Sequence, residues 1–357
     1  MNPKEPIKLF RYLLITIFLL AFGFFMKLEV YPFSKAEKNQ QRKITYRNIK
    51  LEHLLSFPVE KDINSGNGLW DARYFCSDGK GRYYISDSRF HCLLVYDRNG
   101  RYLFRISRKG NAPGELLSPR QVVCLKNFII VNDSGNHRVS FFSYNGEFLK
   151  SFPLYKSYYE MDAVEEGKIF AVPLFLKIDQ PLIDVLSFDG KILYSFGKGK
   201  KFTNLLPLNS IKIAAGANKI FVAFESLGIL QTYSENGSLI KEQELNEYFI
   251  REQRSINLKR DKSLSRSNLG FVTIIQKIRT FGKDLFLLCN FPMIQIIQIS
   301  ESGDIINKYW TKRESQTMVT DFIVSQSKED EISEISILQM NPENQIKIYK
   351  TIRVDSN

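Results

Sequence analysis

The sequence predicts an all-β protein: a six-bladed β-propeller closed by an N-terminal strand and preceded by one N-terminal membrane helix. Three observations predict it. Short alternating runs rich in the chain's 28 Phe and 17 Tyr are everywhere, while long helical patterns are scarce. Turn signals of the form aromatic/Ser-x-(Asn/Asp/Ser)-Gly recur at Gly100, Gly146, Gly190, Gly237 and Gly303, spaced 46, 44, 47 and 66 residues apart. Such a period suits propeller blades of four strands. At 357 residues the chain is also long enough to bury a substantial core.

The first element is the apolar run Tyr12–Met26, YLLITIFLLAFGFFM, preceded by Lys4, Lys8 and Arg11. It is short for a spanning helix, which needs about 20 residues, but Leu28 and Val30 extend it if Lys27 snorkels. No small-x-small cleavage site follows promptly, and no cysteine follows that would suit a lipoprotein. The reading is an uncleaved signal-anchor over residues 1–28, a polar tether over 29–47, and a propeller over 48–357. That places the propeller outside the cytoplasm, in the periplasm or at the cell surface, held to the membrane through residues 12–26.

Each following unit divides into four short runs. The first has ARYFCS, RYYIS, CLLVYD and RYLFRI; the second has QVVCL, FIIVN, RVSFF and EFLKSF. The third has MDAVE, KIFAV, IDVLSF and KILYSF, and the fourth SIKIAA, KIFVAF, ILQTYS and SLIKEQ. The fifth is expected to begin at FVTIIQ and continue through DLFLLC, IQIIQI and DIINKYW, after a polar insertion over Asn246–Asn268. After Trp310 come only DFIVSQ, EISILQM and IKIYKTIRV. The missing fourth run is supplied by LEHLLSF, Leu51–Phe57, which closes the ring and removes its open edge.

The second unit, GELLSPRQVVCLKNFIIVNDSGNHRVSFFSYNGEFLKSF, resembles an NHL repeat in its Pro-led first strand, Asp-Ser-x-Asn-His-Arg segment and Asn-Gly hairpin. The first unit keeps a weaker version, and the others share only spacing and hairpin glycine. The resemblance implies a six-bladed NHL-type propeller. It admits binding platforms for proteins and RNA as well as lyases and lactone hydrolases, so fold does not decide function.

Candidate site residues follow from the repeat. Asp133, His137 and Arg138 lie on the connection between the second and third strands of blade 2, and Asp87 and His91 are their counterparts in blade 1. In this position Asp and Arg ordinarily bind backbone; the alternative is a ligand site on the central face. The formal net charge is +12, and basic residues concentrate on two interblade connections. Lys198, Lys200 and Lys201 follow blade 3, while Arg254, Lys259 and Arg260 lie in the insertion after blade 4. Together they predict a basic patch for an anionic partner.

Several chemistries find no signature. The three histidines, His53, His91 and His137, form no HxH or HExxH pattern, and no P-loop, dinucleotide fingerprint or G-x-S-x-G occurs. No catalytic residue, metal or cofactor is assigned. Cys76, Cys92, Cys124 and Cys289 show no CxxC pairing and read as small buried hydrophobes, with Cys76 and Cys124 the one pair in matching places of adjacent blades. The expected function is a non-enzymatic binding module for a protein, peptide or glycan. The alternative is a propeller lyase or lactone hydrolase with a central metal. Nucleic acid ranks last, because the insertion offers only Tyr248 and Phe249 among its basic residues.

Overall fold

The computed structural model describes residues 46–175, 179–200, 206–216, 218–262, 270–326, 332–341 and 343–353. The expected membrane segment and all of the tether before residue 46 lie outside these residues. Among the described residues no helix is long and apolar enough to cross a membrane.

The chain enters through β1 (Arg47–Phe57) and a short helix α1 (Glu60–Asn64). Blade 1 is β2 (Ala72–Ser77), β3 (Arg82–Asp87), β4 (Cys92–Asp97) and β5 (Tyr102–Ile106). Blade 2 is β6 (Pro119–Cys124), β7 (Ile129–Asp133), β8 (Arg138–Phe142) and β9 (Phe148–Pro153). Blade 3 is β10 (Tyr158–Val164), β11 (Lys168–Pro173), β12 (Ile183–Ser187) and β13 (Ile192–Phe196). Blade 4 is β14 (Ile211–Gly216), β15 (Lys219–Phe224), β16 (Ile229–Ser234) and β17 (Leu239–Glu244). Helix α2 (Tyr248–Lys262) then leads to blade 5: β18 (Lys277–Phe281), β19 (Asp284–Cys289), β20 (Ile294–Ile299) and β21 (Ile305–Thr311). Blade 6 has β22 (Met318–Gln326), β23 (Ile332–Asn341) and β24 (Gln345–Arg353).

Blades 1 to 4 are separate four-stranded antiparallel sheets. Blade 6 takes its outermost strand from the other end of the chain. β1 pairs antiparallel with β24, from Ile49 opposite Arg353 to Phe57 opposite Ile346. Its first residues, Arg47–Lys50, also pair parallel with β21, which fuses blades 5 and 6 into one eight-stranded sheet. The first strands β2, β6, β10, β14, β18 and β22 contact one another in that cyclic order around a central channel. The expected N-terminal closure therefore holds, and β1 is longer than the LEHLLSF run.

The hairpin glycines explain the period. Gly190 and Gly237 have φ of +82° and +84°, and a Cβ there would fall 2.5 Å from the Phe152 ring and 2.7 Å from Phe196. Each therefore lets its turn seat against the outer strand of the preceding blade, a contact that only glycine accommodates. Apolar clusters fill the gaps between neighbouring blades, as where Phe170, Phe196, Ile213, Val222 and Tyr233 pack between blades 3 and 4.

Two expectations are corrected. Blade 5 begins with β18, KIRTF, and FVTIIQ is connection. Within the insertion Tyr248–Lys262 is helical: Ile250, Arg254, Asn257 and Asp261 form its buried stripe at helical spacing. Three of those four are polar, so hydropathy does not reveal the helix.

Candidate functional site

In an up-and-down blade, the interblade connections and the loops between second and third strands share one face. The hairpins joining first to second and third to fourth strands share the other. We call these the connection face and the hairpin face.

The sequence-derived candidates lie on the connection face and serve mainly to hold it. Asp87 is fully buried, and its carboxylate accepts the Trp70 N–H at 2.7 Å and the Asp71 N–H at 3.1 Å, together with those of Arg89 and Phe90. Asp133 does the same in blade 2, accepting the Leu117 N–H at 2.7 Å and the Arg138 Nε at 2.8 Å. Arg138 also donates to the carbonyls of Asn111, Ala112 and Glu115. Each aspartate thus pins the connection entering its own blade. His91 accepts the Ser118 N–H on Nδ1 at 2.9 Å, a bond that needs the neutral ring. Burial and the charge of Lys109 hold that imidazole below its usual value. His137 is exposed in the left-handed region, at φ 49°.

The basic patch is smaller than the sequence suggests. Arg254 is buried; it pairs with Glu244 and donates to the carbonyls of Leu227, Gly228 and Leu245, locking α2 onto blade 4. Lys200 pairs with Glu242, and Arg260 donates to the Gly270 carbonyl at 2.8 Å. Lys198 and Lys259 remain exposed. Lys201 lies outside the described residues.

The channel holds what sequence reasoning missed. Glu160 on β10 is fully buried, touching Lys277 on β18 and reaching Lys212 on β14 at 3.5 Å. Lys212 also meets Glu225 at 3.3 Å. Burial pushes the Glu160 carboxyl up, but the two ammonium groups outweigh it and hold it below its ordinary value. Arg279 on β18 forks onto Asp321 on β22 at 2.9 and 2.6 Å and donates to the Phe75 carbonyl at 2.6 Å. Asp321 also accepts the Phe75 N–H at 3.1 Å, so it joins blades 1, 5 and 6.

Similar ties close the rest of the ring. Gln121 and Asn132 bond blade 3 carbonyls at Tyr159 and Tyr158. Asp162 accepts the Ala215 N–H at 2.8 Å, and Thr280 donates to the Ala215 carbonyl at 2.9 Å. Between blades 1 and 2 the tie is covalent: Cys76 and Cys124 form a disulfide with Cα atoms 5.6 Å apart. This corrects the reading of all four cysteines as plain hydrophobes. Cys92 and Cys289 are free and buried, and burial pushes their thiols up to about 12.

At the hairpin face the channel widens into a vestibule of about 580 Å³ to which all six blades contribute, with Asp162, Arg279 and Thr280 among its polar lining. Burial pushes the Asp162 carboxyl above its ordinary 3.8, against the Ala215 amide and the charge of Lys277. The folded protein therefore holds this proton more tightly than the unfolded chain. That contribution is fully present below the unfolded value and is lost as pH rises toward the folded one. Asp162→Asn removes it, so the difference in Tm between variant and wild type should move in the variant's favour as pH rises above about 4. A pH-independent difference contradicts this.

Among the described residues no three His, Cys, Asp or Glu side chains are grouped to hold a metal ion.

Comparison with known proteins agrees on the architecture. A family model described as DUF5128, 6-bladed beta-propeller, matches residues 76–225. The chain is similar to Protein brain tumor of Drosophila melanogaster, 23% identical over 121 residues, which is 32% of this chain and 11% of that protein. The chain thus spans only a small part of the relative's length. Among solved structures it is similar to a putative exported protein from Bacteroides fragilis, at 13% identity and a TM-score of 0.55, covering 87% of this chain and 100% of that one. It is also similar to a DUF4221 family member from Bacteroides vulgatus, at 11% identity and a TM-score of 0.52, with 87% and 100% covered. A streptogramin B lyase structure matches at 15% identity and a TM-score of 0.48, covering 80% and 84%, a likeness too distant to speak to activity. The fold is an all-β propeller.

Proposed function

We propose that the protein is a membrane-anchored, extracytoplasmic propeller of NHL type that acts as a non-enzymatic binding module, docking a protein or peptide partner on its connection face. The carrying observation is where large apolar side chains meet solvent. Outside the strands' outer surfaces, those exposed among the described residues all lie on the connection face: Ile63, Trp70, Tyr155, Phe175, Tyr248 and Phe291 are the main ones. Trp70 is 61% exposed, with Phe90 edge-on at 6.5 Å and the Arg89 guanidinium 5.7 Å from its ring. Aromatic and arginine side chains of this kind are the usual anchors of protein interfaces. Lys198 and Lys259 leave positive charge on the same face, which favours an acidic partner.

The extracytoplasmic placement draws support from the apolar run at residues 12–26 and from the Cys76–Cys124 disulfide, since such bonds persist in oxidising compartments. β1 begins on the hairpin face, the side opposite the docking surface.

Photo-crosslinking residues placed at Trp70, Phe175 and Phe291 should capture one common partner in cells, while those at the outer-strand positions Leu103 and Leu149 should not. Trp70→Ala should weaken the complex roughly thirtyfold, the size of a hot-spot truncation. Capture equal from the outer strands, or none from the connection face, counts against the proposal.

A further inference from the structure

Acidic side chains outnumber basic ones around the channel. Glu160, Asp162, Glu225 and Asp321 face Lys212, Lys277 and Arg279. Lys212 and Lys277 are engaged by Glu160 and Glu225, and Arg279 by both oxygens of Asp321. Among the described residues Asp162 makes no ion pair; its two oxygens accept the N–H groups of Ala163 at 2.9 Å and Ala215 at 2.8 Å. Each oxygen keeps a lone pair free, and the side chain is partly exposed to the vestibule. The apolar part of the wall is made by Val123, Leu125, Phe281, Ile323, Val324 and the disulfide, beside a polar part that includes Ser77, Thr280 and Ser325.

We propose that the vestibule is a binding site for an organic cation, a primary ammonium or guanidinium group on an apolar body, with Asp162 as its counter-charge. Its volume lies within the range of small-molecule sites, about 300–1,000 Å³. An anion would meet a guanidinium already paired with both oxygens of Asp321 and bonded to the Phe75 carbonyl. An inorganic cation would find one carboxylate and few further donors, since no group of three metal-ligating side chains exists among the described residues. An alkylammonium gains from both parts of the site: charge and hydrogen bonds at Asp162, and burial of its chain against the wall. The site is on the face opposite the proposed docking surface and does not depend on it.

Without ligand, burial disfavours the charged form of Asp162 and raises its affinity for a proton. The charged groups around it are Glu160 on its own strand, Lys212 on β14, Lys277 and Arg279 on β18, and Asp321 on β22; β2 and β6 present Tyr74, Gln121 and the disulfide. A bound cation favours the carboxylate, so binding should release protons and tighten as pH rises through this carboxyl's raised range.

Titration calorimetry of the whole chain with butylammonium and phenethylammonium, and with butanoate as the matched anion, tests this in buffers of differing ionisation enthalpy. The ammonium ions should bind with proton release and butanoate should not bind. Asp162→Asn should weaken ammonium binding roughly tenfold or more and abolish the proton release. Val123→Trp, which fills the vestibule and leaves the charges in place, should block binding and serves if Asp162→Asn does not fold. No binding of either ammonium at millimolar concentration, equal binding of butanoate, or an unchanged Asp162→Asn affinity would overturn the proposal.

Discussion

Replacing both Cys76 and Cys124 with alanine should lower the free energy of unfolding by about 4 kcal/mol, the chain-entropy value for a closed loop of this length. The two residues are 48 apart in sequence and close the loop that contains nearly all of blade 1 beyond β2. In the unfolded chain that loop is free to expand; the bridge removes this freedom, while the native blades are already held together. Against a typical total stability of about 5–15 kcal/mol, the loss is large. Denaturant unfolding with and without reductant measures it. The reduced wild type should match the double variant, because both lack the same constraint. A loss in both that is small against this figure would mean that residual structure already restricts the loop in the unfolded chain.

Asp321→Ala should cost a comparable amount, about 3–5 kcal/mol, as expected when one partner of a buried ion pair is removed. Asp321 is fully buried on the channel side of β22. Its loss leaves the Arg279 guanidinium without its fork partner and the Phe75 N–H without an acceptor. The damage should concentrate where blades 1, 5 and 6 meet. Amide exchange should therefore quicken first in β22 and along the β1–β24 seam, and less in blades 2 and 3. Asp321→Asn keeps acceptor capacity without charge and should fall between. Uniform acceleration in all blades, or a wild-type unfolding curve for Asp321→Ala, contradicts this.

Most strands were legible because a blade strand shows alternating or continuous apolar character on both packed faces. The runs RVSFF, KIFVAF, ILQTYS, DLFLLC and IQIIQI coincide with β8, β15, β16, β19 and β20 residue for residue. The failures share one cause. β18 carries Lys277 and Arg279 into the channel, and β10 carries Glu160, so these buried positions read as surface. Helix α2 buries Arg254, Asn257 and Asp261 where an amphipathic pattern would show apolar residues. For Glu160, Lys277, Arg279, Arg254 and Asn257 a partner from another blade or connection satisfies the polar group, and one chain segment viewed alone does not show that partner. The candidates at Asp87 and Asp133 stand out because they repeat in blades 1 and 2, yet the repetition marks bonds that pin the entering connection. The channel residues do not repeat, and Asp162 stands out only by its lack of an ionic partner.

Protease treatment of intact cells, followed by detection of a C-terminal tag on the propeller, tests the placement on which the proposed function rests. The account predicts that the tag is cleaved or released from outside, once any outer envelope has been opened, and that Cys76 and Cys124 resist alkylation until reduced. Full protection of the tag with both thiols freely alkylated would put the propeller in the cytosol and contradict the account.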